Sequence, residues 1–103
     1  MTVIKPGTRL RSQVCQTEVV IVRAPAEPLS LTCGGKELVS VDTPVQATGP
    51  VPGHEGGNQL GKRYTTGSGG SLEMLVTRAG AGTLAADDVP LVLKEARPLP
   101  ASD

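Results

Sequence analysis

The sequence predicts an all-β domain, a small six-stranded barrel or sandwich built from two pseudo-twofold-related hairpin repeats. Three observations carry this expectation. Val19-Val20-Ile21-Val22 is a run of four β-branched residues, which lose rotamer freedom in a helix and pack well on a pleated sheet. Gly34-Gly35 stands between the short apolar runs 29–33 and 36–41. Two adjacent glycines supply the positive φ angles that a tight hairpin turn needs. The third observation is that the chain resembles itself. Glu18-Val-Val-Ile-Val-Arg-Ala aligns with Glu73-Met-Leu-Val-Thr-Arg-Ala, and Ala26 aligns with Ala81. After a two-residue shift Leu31 meets Leu84, Gly34-Gly35 meets Asp87-Asp88, and Leu38-Val39 meets Leu91-Val92.

The elements follow in order. Residues 1–12 are polar and basic, with a turn at Pro6-Gly7. Residues 14–23 form the strongest strand, and 29–33 and 36–41 form a hairpin. These make repeat 1, about 14–41. Residues 44–70 contain eight Gly and three Pro and read as a connecting loop, either functional or a linker. Repeat 2, about 71–94, holds strands at 71–78, 83–86 and 89–94, with a turn at Asp87-Asp88. The tail 97–103, with Pro98 and Pro100, should be extended and exposed. One unit alone is too small to bury a core, so the two are expected to close on each other within a single domain, 1–103.

Composition excludes several classes of function. The chain has 103 residues, ten acidic and ten basic side chains and one aromatic residue. With no basic excess to neutralise phosphates and one ring for stacking, nucleic-acid binding is disfavoured. No apolar run approaches the roughly 20 residues that span a bilayer. The apolar run after Lys5, Arg9 and Arg11 is only Val19 to Val22, short of the roughly 7–15 residues of a secretory signal. The protein therefore reads as cytoplasmic, where Cys15 and Cys33 are expected to stay reduced. Their spacing fits neither a zinc motif nor a Cys-x-x-Cys redox motif, so both read first as small core residues.

No motif for catalysis stands out. Gly56-Gly-Asn-Gln-Leu-Gly61-Lys62-Arg63 nearly matches a phosphate-binding loop, but Arg63 replaces the hydroxyl that would ligate magnesium. A weaker role survives, in which loop amides with Lys62 and Arg63 hold an anion. His54 is the single histidine. Glu55 stands next to it, and either cysteine would serve it as a nucleophile. Cys15, Cys33, His54 and Glu55 offer metal-ligand chemistry without local metal spacing.

Two apolar runs suggest association. Val19–Val22 and Met74–Val76 are apolar on both faces, while a barrel core covers one face only. The sequence therefore favours a non-catalytic accessory or binding module. It would assemble through β-strand faces with itself or with a larger enzyme, and Val19, Ile21, Met74 and Val76, or their other-face neighbours, would lie in the interface; the sequence does not say which face turns inward. The alternative is a protein that binds a small ligand, anion or metal through loop 53–63 with Cys15 or Cys33. No cofactor is expected in the first reading.

Overall fold

The computed structural model describes residues 4–46, 48–66 and 72–94. The expected extended tail 97–103 lies outside them, as do residues 47 and 67–70 of the expected loop and residue 71 of the strand expected at 71–78. The architecture is all-β, with ten short strands among the described residues rather than six. They are β1 (Arg9–Arg11), β2 (Glu18–Arg23), β3 (Leu31–Cys33), β4 (Lys36–Glu37) and β5 (Val39–Ser40). Then follow β6 (Arg63–Thr65), β7 (Glu73–Arg78), β8 (Leu84–Ala86), β9 (Val89–Pro90) and β10 (Val92–Leu93). They form two antiparallel sheets, one in the order β10-β6-β7-β2-β1-β5 and one in the order β4-β3-β8-β9. Neither sheet closes on itself, so the barrel alternative is excluded.

The registers of the two halves match. Arg9 pairs with Val20 as Arg63 pairs with Leu75, and Leu10 pairs with Val19 as Tyr64 pairs with Met74. Arg11 pairs with Val39 as Thr65 pairs with Val92. The central pair is symmetric about Val20 and Leu75: Glu18 faces Arg78, and Arg23 faces Glu73. Bulges skip Val22 on β2 and Thr77 on β7, two positions 55 residues apart. The Glu18–Arg78 contact is an ion pair at 3.7 Å. Glu73, nearly buried, instead draws Arg63 at 3.7 Å and Lys94 at 3.0 Å.

Local chemistry explains both hairpins. Gly34 and Gly35 adopt φ of 67° and 90°, and Asp87 and Asp88 take φ of 49° and 66° at the matching turn. Aspartate tolerates the left-handed region better than most residues. Asp87 also accepts the Ser30 N–H on its side chain at 3.0 Å. The return strand of each hairpin then crosses from the four-stranded to the six-stranded sheet. The crossings are at Leu38 and Leu91, whose N–H groups donate to Leu31 O and Leu84 O at 2.9 and 2.8 Å.

The stretch read as a loop, 44–70, contains β6 and is ordered along much of its length. Gly49 N–H donates to Val14 O, Val51 to Gly34 O, Asn58 to Gly80 O and Gly61 to Val76 O. Likewise β1 precedes the expected start of repeat 1. Each of these two strands carries one apolar side chain, Leu10 or Tyr64, so neither shows in hydrophobic patterning.

One hydrophobic cluster lies between the sheets, and it contains Val19, Ile21, Met74 and Val76. These four, assigned to an interface from the sequence, are no more than 1% exposed within the single chain. Of the two faces the sequence leaves open, this one turns into the core within the single chain, in the same cluster as Leu31, Cys33 and Leu84, since alternation sends one face of a strand inward. Exposed large apolar side chains sit elsewhere: Val22 in the bulge, Leu60, and Val89, Val92 and Leu93 on β9 and β10.

Candidate functional site: a buried cysteine pair

Cys15 lies in the turn between β1 and β2, and Cys33 ends β3. The fold brings these cysteines, 18 positions apart, to an Sγ–Sγ distance of 3.7 Å. The turn holding Cys15 is tightly built. Ser12 N–H donates to Thr17 O at 2.9 Å. The N–H groups of Val14 and Cys15 donate to Ser12 Oγ at 3.0 and 3.1 Å. Ser12 and Thr17 are both fully buried.

Two hydroxyls face the Cys15 sulfur, Ser12 Oγ at 3.3 Å and Thr17 Oγ1 at 3.2 Å. The Cys15 thiol donates to Ser12 Oγ, which also accepts the two backbone N–H groups. Thr17 Oγ1 accepts the Asn58 side-chain N–H at 2.8 Å, and between Thr17 Oγ1 and Cys15 Sγ either atom can donate.

Burial pushes the Cys15 thiol up, but hydrogen bonds from Ser12, Thr17 and the backbone of Thr17 and Gly82 outweigh it and bring it down to about 7. Cys33 goes the other way, pushed up to about 12 by burial, with a further rise from the adjacent Cys15 charge. The two shifts run in opposite directions, toward thiolate at Cys15 and toward the protonated thiol at Cys33. The ultraviolet thiolate absorbance of the folded chain should therefore rise with pH around a midpoint of about 7, and Thr17→Val should move that midpoint upward. A Cys15 midpoint at the ordinary thiol value, about 8.5, contradicts this.

The segment 80–82 roofs the pair. A Cβ on Gly80 would stand 2.9 Å from Cys15 Sγ, and one on Gly82 would stand 2.9 Å from Cys33 Sγ. Asn58 ties this roof to the Cys15 turn. Its Nδ2 donates to Gly82 O at 2.9 Å as well as to Thr17, and its Oδ1 accepts the Gly80 N–H at 3.1 Å. Ser12, Thr17, Asn58, Gly80 and Gly82 were not singled out from the sequence. One signal was present: Gly80 and Gly82 flank Ala81, whereas Pro25 and Glu27 flank its aligned mate Ala26.

The other site residues expected from sequence do not converge. His54 is half-buried, with its backbone bonded to Val51 O and Thr83 N and its ring beside Gly35. Glu55 accepts the Gly53 N–H at 3.2 Å, which makes it part of the loop turn. Lys62 is exposed, and Arg63 is engaged with Glu73. Among the described residues no hydrogen bond or ion pair joins His54 to Lys62 or Arg63. Within that loop the N–H groups of Gly56, Asn58, Gln59, Gly61 and Lys62 donate to protein oxygens. Cys15, Cys33 and His54 do not form a metal set, since no group of three or more His, Cys, Asp or Glu suited to a metal occurs among the described residues.

An open cleft of about 420 Å³ lies against the first residues of β2, lined by Arg9, Glu18, Val20, Thr77 and Arg78 among others. Neither cysteine lines it. Among the described residues no helix is long and apolar enough to cross a membrane. No protein-family model matches the chain, and neither does any curated protein or solved structure at a significant level.

Proposed function

We propose that this protein is a thiol–disulfide redox module whose working group is the Cys15–Cys33 pair. The observation that carries the reading is the 3.7 Å approach of two sulfurs, one from the β1–β2 turn and one from β3, within one core. A disulfide needs about 2.05 Å, and the short turn 12–17 is the element that would move to close the gap. Formation removes two protons and two electrons from the thiols and delivers them to an oxidant. With a small disulfide, two thiols are released. This reading takes the two cysteines of the ligand-binding alternative and leaves loop 53–63 to structure. Equilibration in graded mixtures of reduced and oxidised dithiothreitol, then acid quench and alkylation, tests it. Both cysteines should lose alkylation together along one reversible two-electron curve. Independent titration, or thiols that never pair, would count against it.

We also infer that β1–β5 and β6–β10 are two copies of one duplicated unit, on the strength of the matched registers. The copies differ where association would matter. Val89, Val92 and Leu93 are exposed, and their counterparts are Lys36, Val39 and Ser40. This favours a second reading, in which the accessory role is exercised by pairing with a second copy along β10, an edge of the larger sheet. Light scattering should then give a dimer that Leu93→Lys disperses. A chain monomeric at all concentrations argues against it.

A further inference from the structure

We propose that the oxidant taken by this pair is a small hydroperoxide, with Cys15 as the attacking sulfur and Cys33 as the resolving one. The inference rests on the redox reading and adds a substrate class to it. Exposure assigns the roles first. Cys15 retains 8% of its surface and Cys33 none, so only Cys15 meets a reagent from solvent.

Space then selects the reagent. Attack on a disulfide needs three sulfurs in line, with a carbon chain on each substrate sulfur. Above Cys15 the roof is so close that a single added carbon on Gly80 would come within 2.9 Å of Sγ and 2.5 Å of Thr17 Oγ1. Asn58 holds that roof by side-chain bonds to Gly80 N and Gly82 O and a backbone bond to Gly80 O. A hydroperoxide presents a terminal oxygen bearing only hydrogen, the smallest electrophile of this kind. Ser12 Oγ and Thr17 Oγ1 lie 3.3 and 3.2 Å from Sγ, so both hydroxyls stand where a departing oxygen gathers charge and a donor stabilises it.

The steps balance. Cys15 thiolate attacks the terminal oxygen of ROOH, an S–O bond forms and the O–O bond breaks, giving Cys15 sulfenic acid and RO⁻, which takes a proton from water. Cys33, still protonated, then attacks Cys15 Sγ. The S–S bond forms, and the sulfenic oxygen leaves as water with the Cys33 proton. The 3.7 Å separation places the resolving sulfur beside the sulfenic acid as soon as it forms.

The test uses the full chain. Cys33→Ser, treated with hydrogen peroxide and then unfolded in denaturant containing dimedone, should carry the dimedone adduct on Cys15 alone, located by peptide mass spectrometry. The wild type should give the intrachain disulfide with little adduct, and should react roughly tenfold or more faster with hydrogen peroxide than with oxidised glutathione at equal concentration. The wild-type rate comparison stands by itself if Cys33→Ser does not fold. An adduct on Cys33 in Cys15→Ser formed at a similar rate, or oxidised glutathione reacting faster, overturns the proposal. If diamide forms the disulfide and peroxide does not, this inference alone fails. If no oxidant forms it, the redox reading fails with it.

Discussion

Oxidation of the Cys15–Cys33 pair should raise the thermal midpoint of the domain by roughly 10 °C. The bond closes a loop across 18 positions, and removing that freedom from the unfolded chain is worth about 3 kcal/mol. In a domain of this size each kcal/mol moves the midpoint by roughly 4–8 °C. Strain offsets part of the gain. The sulfurs must approach from 3.7 Å, and the turn that moves is held by two backbone bonds to Ser12 Oγ. Scanning calorimetry of the diamide-oxidised and dithiothreitol-reduced protein measures the difference. Cys15→Ser and Cys33→Ser should each abolish it. An oxidised form melting at or below the reduced one would mean that the turn cannot yield without breaking the core.

The second large effect is expected at the roof. Gly82→Ala should destabilise the fold by about 2–3 kcal/mol, the range in which overpacking a tight interior falls. The new Cβ would stand 2.7 Å from Gly34 N, 2.9 Å from Cys33 Sγ and 2.9 Å from Gly34 Cα. Two of these are backbone atoms, and Gly34 N–H is already committed to Thr83 O at 3.0 Å. Gly34 cannot retreat without loosening the hairpin turn and the β3–β8 contact together. Gly80→Ala meets Thr17 N at 2.8 Å and should also raise the Cys15 midpoint by displacing the Thr17 hydroxyl. Ala81 between them is exposed, so Ala81→Ser should stay within about 0.5 kcal/mol. Denaturant melts of the three variants, with unfolding slopes compared, settle the order. Gly82→Ala melting like the parent would contradict the packing described.

Some of this was legible in the sequence. The Glu18 and Arg23 that bracket one apolar triplet recur as Glu73 and Arg78, and in the structure they face each other across β2 and β7. Side chains at the ends of paired strands leave such a signature because charge and register are fixed together. Gly34-Gly35 and Asp87-Asp88 were legible for a local reason, since few residue types accept positive φ.

The inward face of β2 was not legible. Val19 and Ile21 are no more apolar than Val20 and Val22, and only the partners across the core decide between them. Nor were β1 and β6, three residues each, which owe their place to backbone pairing with β2 and β7. The cysteine pair escaped for the same reason. Each thiol reads alone as a small core residue, and the contact exists only because β3 and the β1–β2 turn meet under segment 80–82.

That meeting is the central claim, and one measurement tests it most directly. The freshly reduced chain is treated with diamide at low concentration, quenched with acid, alkylated after unfolding and weighed intact, then digested to locate any bridge. The expected product is a monomer two hydrogens lighter, with no alkylated cysteine and a single Cys15–Cys33 cross-link. Two alkylated cysteines on a monomer, or bridges only between chains, would show that the sulfurs do not meet in the folded protein.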